Sequence, residues 1–235
     1  MPVRIVYLHQ YFTTPAQAGA TRSYEFARRW AAAGHDVHVV TSDQAASTPG
    51  WRVETVAGCT VHAVTVPYDN TMGAAARVRA FVRFAAAAAA RARRLKPDVV
   101  YATSTPLTIA LPALGATLGR PVRYVFEVRD LWPDVPVALG YLGNPVLRRA
   151  AYALEALAYR QAAHVVALAP GMREHILGKG IAPDKVDVVA QGCDTELFAD
   201  LDTAALRARE PWIASRRLVL FAGTLGRANG LPYLA

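Results

Sequence analysis

The densest group of reactive side chains is Glu127-Val128-Arg129-Asp130-Leu131-Trp132-Pro133-Asp134, four charged groups around a Trp and a Pro. A carboxylate in such a cluster can orient or deprotonate a hydroxyl, and Arg129 can hold a phosphate or sugar oxygen by forked hydrogen bonds. The same residues also suit a salt-bridged loop with Trp132 as its core anchor. A second group lies near the start, where His9-Gln10-Tyr11-Phe12 leads through Gly19-Ala20 into Thr21-Arg22-Ser23. Small residues before a helix let backbone N–H groups and the positive helix end approach an anion, and Arg22 can add charge. Glycine in such a loop also serves turn geometry alone. Tyr11 and Phe12 can stack on a sugar or simply close the loop, and His9 ends the first apolar run.

Positioning these groups falls to short β-branched runs at residues 3–8, 37–42, 61–66, 98–104, 122–128, 164–169 and 185–190, separated by helical patterns. The alternation predicts an α/β chain with a doubly wound, Rossmann-like parallel sheet. Runs such as Val37-His38-Val39-Val40 are apolar on successive residues, so both sheet faces are expected to be covered. Residues 51–66, with Ala57-Gly58 at the turn, predict a hairpin added to that sheet. Thr21 can cap a helix through Ala33, stopped by Gly34; Asn144-Pro145 opens another to about Ala163. On this plan His9, Gly19 and Asp130 share the carboxyl edge of the sheet, where open α/β sheets bind ligands.

The length of 235 residues and the 53% hydrophobic content suffice for a large core, while the net charge of +8 favours an anionic contact. Only Cys59 and Cys193 occur, far apart, so neither a disulfide framework nor a metal site is indicated, and a reducing cytoplasm fits. No dinucleotide fingerprint, P-loop, nucleophile elbow or zincin pair is present. Between Gly73 and Pro97 the basic residues Arg77, Arg79, Arg83, Arg91, Arg93, Arg94 and Lys96 stand without an acidic one. Helical geometry puts most of the arginines on one arc and Val78, Phe81, Val82, Phe84 and Leu95 on the other. This reads either as attachment to anionic lipid through Arg77, Arg79, Arg83, Arg91 and Arg94, or as a solvated crossover helix. Aromatics are not interleaved with the charges, which argues against nucleic acid. Trp30, Trp51 and Trp212 read as packing residues, and His62 as a strand-edge or surface one.

Past residue 190 the pattern weakens through Gly192-Cys193-Asp194-Thr195-Glu196-Leu197-Phe198, and a new strand is expected at Arg217–Ala222 with a helix start at Asn229. The expected division is a domain at 1–198, a linker at 199–215 and the beginning of a second domain at 216–235. One strand, a loop and a helical stub cannot bury their own apolar surface, so a second α/β domain is expected to continue beyond Ala235. The alternative is that this strand joins the first sheet.

His9-Gln10-Tyr11-Phe12, Thr21 to Ala27, Thr103-Ser104-Thr105-Pro106, Glu127 to Asp134, Leu168 to Met172, Gly192 to Phe198 and Gly223 to Gly230 occur in the order seen in one family. The chain resembles the amino-terminal half of family 4 glycosyltransferases of the GT-B fold, and within them the fucosamine-transferase type of bacterial surface-polysaccharide enzymes. That resemblance implies two Rossmann-like domains facing across a cleft, with acceptor bound mainly by the first and nucleotide sugar by the second. It implies configuration-retaining transfer without a metal, a nucleotide sugar as co-substrate rather than a cofactor, and a lipid-linked glycan acceptor at the cytoplasmic membrane face. Gly19, Ala20, Thr21 and Arg22 would lie near the donor diphosphate or acceptor. Arg129 and Asp130 would stand as catalytic residues where many relatives have a His-Asp pair, with His9, Tyr11, Glu127 and Asp134 binding substrate. The family's donor-binding Arg/Lys pair and paired glutamates belong to the second domain, so the chain alone is expected to catalyse little. The competing expectation is a non-catalytic remnant or a membrane-surface or ligand-binding module.

Overall fold

Strand β1, Arg4–Leu8, sends Ile5 and Tyr7 to one side and Val6 and Leu8 to the other, all of them buried. A strand apolar on both faces must be covered on both, and its neighbours follow the same rule. The computed structural model describes the chain apart from residues 18, 45, 47, 69–71, 194, 196–198, 200–201, 215, 218, 222, 224–229 and 231–235. Among the described residues, eight strands form one sheet in the order β3-β4-β2-β1-β5-β6-β7-β8. They are β2 (Asp36–Asp43), β3 (Trp51–Val56), β4 (Cys59–Thr65), β5 (Val99–Thr103), β6 (Arg123–Val128), β7 (His164–Ala167) and β8 (Val186–Val188). Every pairing is parallel except β3 with β4, the expected hairpin, where Arg52 stands opposite Ala63 and Glu54 opposite Val61.

Helix α1 (Arg22–Ala32) packs on one face, where Tyr7, Val39, Val61 and Tyr101 meet Phe26 and Trp30. The core of the other face takes residues from α2 (Ala74–Leu95), α3 (Ala110–Thr117), α5 (Pro145–Gln161) and α6 (Pro170–Gly178), against Val6, Leu8, Val100 and Phe126. Between β6 and α5 runs the short α4, Asp134–Ala138. The doubly wound α/β arrangement is therefore as expected. Gly34, at φ +87°, ends the turn after α1 in a backbone conformation that disfavours other residues. Thr21 makes no side-chain cap; its carbonyl accepts the Glu25 N–H at 2.9 Å. Asn144 does cap α5, its side chain accepting from the N–H groups of Val146 and Leu147.

The alanine-rich stretch of α2 lets it approach α3 closely. A Cβ on Gly115 of α3 would stand 3.1 Å from the Ala89 methyl. Ala80, Phe84, Ala85, Ala88 and Ala92 form the buried stripe, so the helix is rotated from the expected arc: Val78 and Val82 are 55% and 58% exposed.

The chain divides into two compact units, Met1–Gln191 and Gly192–Ala235. The second contains helices Ala204–Arg209 and Pro211–Ala214. The strand expected at Arg217–Ala222 is absent at its described members, Arg217 and Val219–Phe221, and Val219 and Leu220 lie exposed. Trp212 is also exposed, contrary to a packing role. Much of the Gly192–Phe198 and Gly223–Gly230 segments, and the helix start at Asn229, lie outside the described residues.

Candidate functional site

The carboxyl ends of β1, β2, β5 and β6 open into a cavity of about 680 Å³ lined by His9, Tyr11, Gly19, Ala20, Thr105, Arg129 and Asp130. Segments 120 residues apart meet here because β1, β5 and β6 are neighbours in the sheet and run the same way. Six of the residues expected at the site thus share one wall.

Each is held by its own backbone or by a neighbour. The His9 N–H donates to the Val40 carbonyl at 3.2 Å, fixing the ring at the end of β1. His9 is buried, and its Nδ1 has no hydrogen-bond partner among the described residues. Burial, then the nearby Arg129 charge, pushes its pKa down to about 3, so the imidazole is neutral near pH 7. Gly19, at φ +143°, has no room for a side chain, since a Cβ would fall 2.9 Å from Thr13 Oγ1. Thr13 donates in turn to the Ala20 carbonyl at 3.1 Å, which sets the curve of the loop. Burial, and after it Tyr68, raises the Tyr11 pKa, and the two rings pack 5.9 Å apart. At the end of β6 the Arg129 N–H donates to Ser104 Oγ at 3.0 Å, and Asp130 accepts from Thr105 Oγ1 at 2.5 Å. The β5 and β6 loops therefore aim a guanidinium and a carboxylate at the cavity together.

Four expected site residues are placed elsewhere. Glu127 is fully buried and accepts from Arg22 Nε at 2.9 Å, Tyr101 at 3.2 Å and Thr103 at 2.5 Å. Arg22 donates its remaining groups to the Val189 and Ala190 carbonyls at 2.8 and 2.9 Å. Arg22 is thus spent inside the protein instead of strengthening an anion site, and Glu127 is its counter-ion instead of a substrate ligand. Thr21 also lies off the cavity wall. Asp134 belongs to a knot on the helical side: it accepts from Tyr152 at 2.8 Å and Lys179 at 2.5 Å, and lies 2.8 Å from His175 Nε2. Burial would raise its pKa, but Lys179, Tyr152 and His175 together bring it below the usual carboxylate value. Lys179 also reaches both oxygens of the buried Glu155 at 2.7 Å. Asp134, Glu155 and His175 lie close enough to share a cation, and the Lys179 ammonium already fills that role.

Missed from sequence were Thr105, Asp43, Gln44, Arg52, Glu54 and Gln191, all on the cavity wall. Asp43, Gln44 and Thr105 sit at or just beyond the ends of β2 and β5, a position that the strand pattern alone could have flagged. Arg52 and Glu54 arrive through the register of the hairpin, which has no sequence signature beyond its turn.

Of the basic positions on α2, Arg77, Arg79, Arg83 and Arg94 are exposed, flanking the exposed Val78 and Val82. Arg91 departs from this set. Its guanidinium lies 4.1 Å above the Trp51 ring and is partly buried. Arg93 donates to the Gly115 and Leu118 carbonyls, closing the end of α3. No helix among the described residues is long and apolar enough to cross a membrane.

Residues 18–192 match a family described as the Glycosyl transferase 4-like domain. Among solved structures, a sucrose-phosphate synthase from Thermosynechococcus elongatus superposes with a TM-score of 0.73 at 16% identity, over 99% of this chain and 58% of that one. Trehalose-6-phosphate from E. coli bound with UDP-2-fluoro glucose gives 0.58 at 12%, over 88% and 54%. The Anabaena protein HepE in complex with UDP-glucose gives 0.57 at 16%, over 91% and 51%. The chain thus spans a little over half the length of these structures, which share its fold. No curated protein matches the sequence significantly.

Proposed function

We propose, for a chain that belongs to the glycosyl transferase 4-like family, that it forms the acceptor-side domain of a sugar-nucleotide-dependent glycosyltransferase. The observation that carries this reading is that one cavity at the carboxyl edge joins His9, Gly19-Ala20, Arg129 and Asp130. Arg129 has the forked geometry to hold phosphate or sugar oxygens as charge develops on them. Asp130, steadied by Thr105, is placed to orient an acceptor hydroxyl. Neutral His9 offers a buried nitrogen for a further hydroxyl. The nucleotide sugar would be held mainly by a second domain, a reading in keeping with the UDP sugars bound in two of the similar structures. Transfer with retention and without a metal, and the fucosamine-transferase type of reaction in surface-polysaccharide synthesis, rest on the family resemblance.

A lipid-linked acceptor accords with α2, which presents Val78 and Val82 beside exposed arginines, a surface suited to anionic headgroups. Attachment there would bring the cavity to a membrane-bound acceptor. The test is transfer by the full-length protein, using a panel of nucleotide sugars and polyprenyl-linked saccharides. Sugar incorporation that depends on Asp130 is the expected result. No transfer with any pair would leave a non-catalytic surface module as the reading.

A further inference from the structure

The cavity continues from Arg129 and Asp130 toward the β3–β4 hairpin, and this far wall differs in chemistry. Arg52, Glu54 and Val56 alternate onto one face of β3, joined by Val61 and Ala63 of β4 and by Asp43 from the end of β2. Arg52 lies 3.2 Å from an Asp43 oxygen and 2.5 Å from a Glu54 oxygen. The other Asp43 oxygen accepts the Ala46 N–H at 3.0 Å. One guanidinium is thus shared by two carboxylates beside the partly exposed Val56, with Val61 and Ala63 buried beneath them. In a protein of net charge +8, this stretch of cavity is net negative.

We infer that this wall is the subsite for an unphosphorylated, hydroxyl-rich sugar ring of the acceptor, and that it rejects a phosphorylated one; the inference rests on the glycosyltransferase reading above. A sugar ring has an apolar C–H face for the partly exposed Val56 and a rim of hydroxyls that donate to carboxylates. A phosphate would bring about two negative charges to a wall whose guanidinium already has two anionic partners. Five strand positions separate β3 from β6 in the sheet, roughly 24 Å at ordinary strand spacing. The reacting hydroxyl can therefore sit at Asp130 while a more distant ring of the same acceptor occupies the hairpin wall.

Calorimetric titration of the chain at low salt with glucose, galactose, mannose and N-acetylglucosamine, each against its 6-phosphate, tests this. At least one free sugar should bind about tenfold more tightly than its phosphate. That ratio should shrink toward one in the Asp43→Asn, Glu54→Gln double variant and in high salt. Equal or tighter binding of the phosphates, a ratio unmoved by the double variant, or no binding by any of the sugars would overturn the subsite. Transfer by the full-length protein, assayed in parallel, separates the cases. If it persists while the titrations fail, only the subsite is lost, whereas its absence removes the glycosyltransferase reading itself.

Discussion

Glu127 and Asp130 stand three residues apart at the end of one strand and have opposite fates. Glu127 points into the protein, with Arg22, Tyr101 and Thr103 around it. Asp130 is exposed in the cavity, and its carboxylate accepts from the Thr105 hydroxyl. Arg22 and Arg129 make the same contrast, one with its donors used on Glu127 and two carbonyls, the other on the cavity wall. A charged cluster at a strand end therefore serves two purposes. Its inward members fix where the loops begin, and its outward members are left to meet a ligand.

The largest effects should come from the inward pair. Arg22→Ala or Glu127→Ala leaves a buried charge without its partner and should cost about 3–5 kcal/mol in urea unfolding. A loss below about 1 kcal/mol would mean that the pair is solvated in solution. On the outward side, Arg129→Ala or Asp130→Ala should lower kcat/KM of the full-length protein about hundredfold, with stability changed by less than about 1 kcal/mol. Unchanged kinetics would remove these residues from the reaction.

Next in size is a dependence on pH set by buried imidazoles. His62, buried against expectation and 3.0 Å from His38, has its pKa lowered to about 4 by burial first and by His38 and Arg91 after it. His9 is lowered to about 3. The unfolded chain binds protons at these sites below about pH 6.5 while the folded chain does not. Stability should accordingly be flat above that pH and decline as pH falls toward 4, with His9 alone contributing roughly 2.5–3 kcal/mol of loss at pH 4.5. His9→Gln should flatten the decline; an unaltered slope would show that the ring is accessible to protons in the folded state. The smallest effect per residue belongs to α2. Replacing Arg79, Arg83 and Arg94 by Glu should abolish sedimentation with anionic liposomes, each arginine being worth up to about 1 kcal/mol. Arg91, stacked on Trp51, should matter less. Binding indifferent to salt, anionic lipid and these substitutions would leave α2 as a packing element.

The strand pattern made the sheet, the hairpin and the shared carboxyl edge legible, because residues such as Ile5, Val6, Tyr7 and Leu8 must be buried on two faces at once. His9, Gly19 and Asp130 could be placed together for the same reason. Side-chain direction was not legible. That Arg22 turns inward depends on Glu127, 105 residues away, and on the Val189 and Ala190 carbonyls. Helical periodicity located α2 but misjudged its rotation, since close packing on α3 selects Ala85, Ala88 and Ala92 over the bulkier Val78 and Val82. Arg52 and Glu54 reach the cavity only through hairpin register, which a period of two cannot assign to a face.

The most direct test sets Asp130→Ala beside Glu127→Gln in the full-length protein, with kcat/KM for sugar transfer and thermal stability measured on the same samples. The assignment predicts that Asp130→Ala melts like wild type and transfers about a hundredfold more slowly, while Glu127→Gln melts earlier and keeps its activity per folded molecule. The reverse pattern, with Glu127 needed for turnover and Asp130 dispensable, would contradict it.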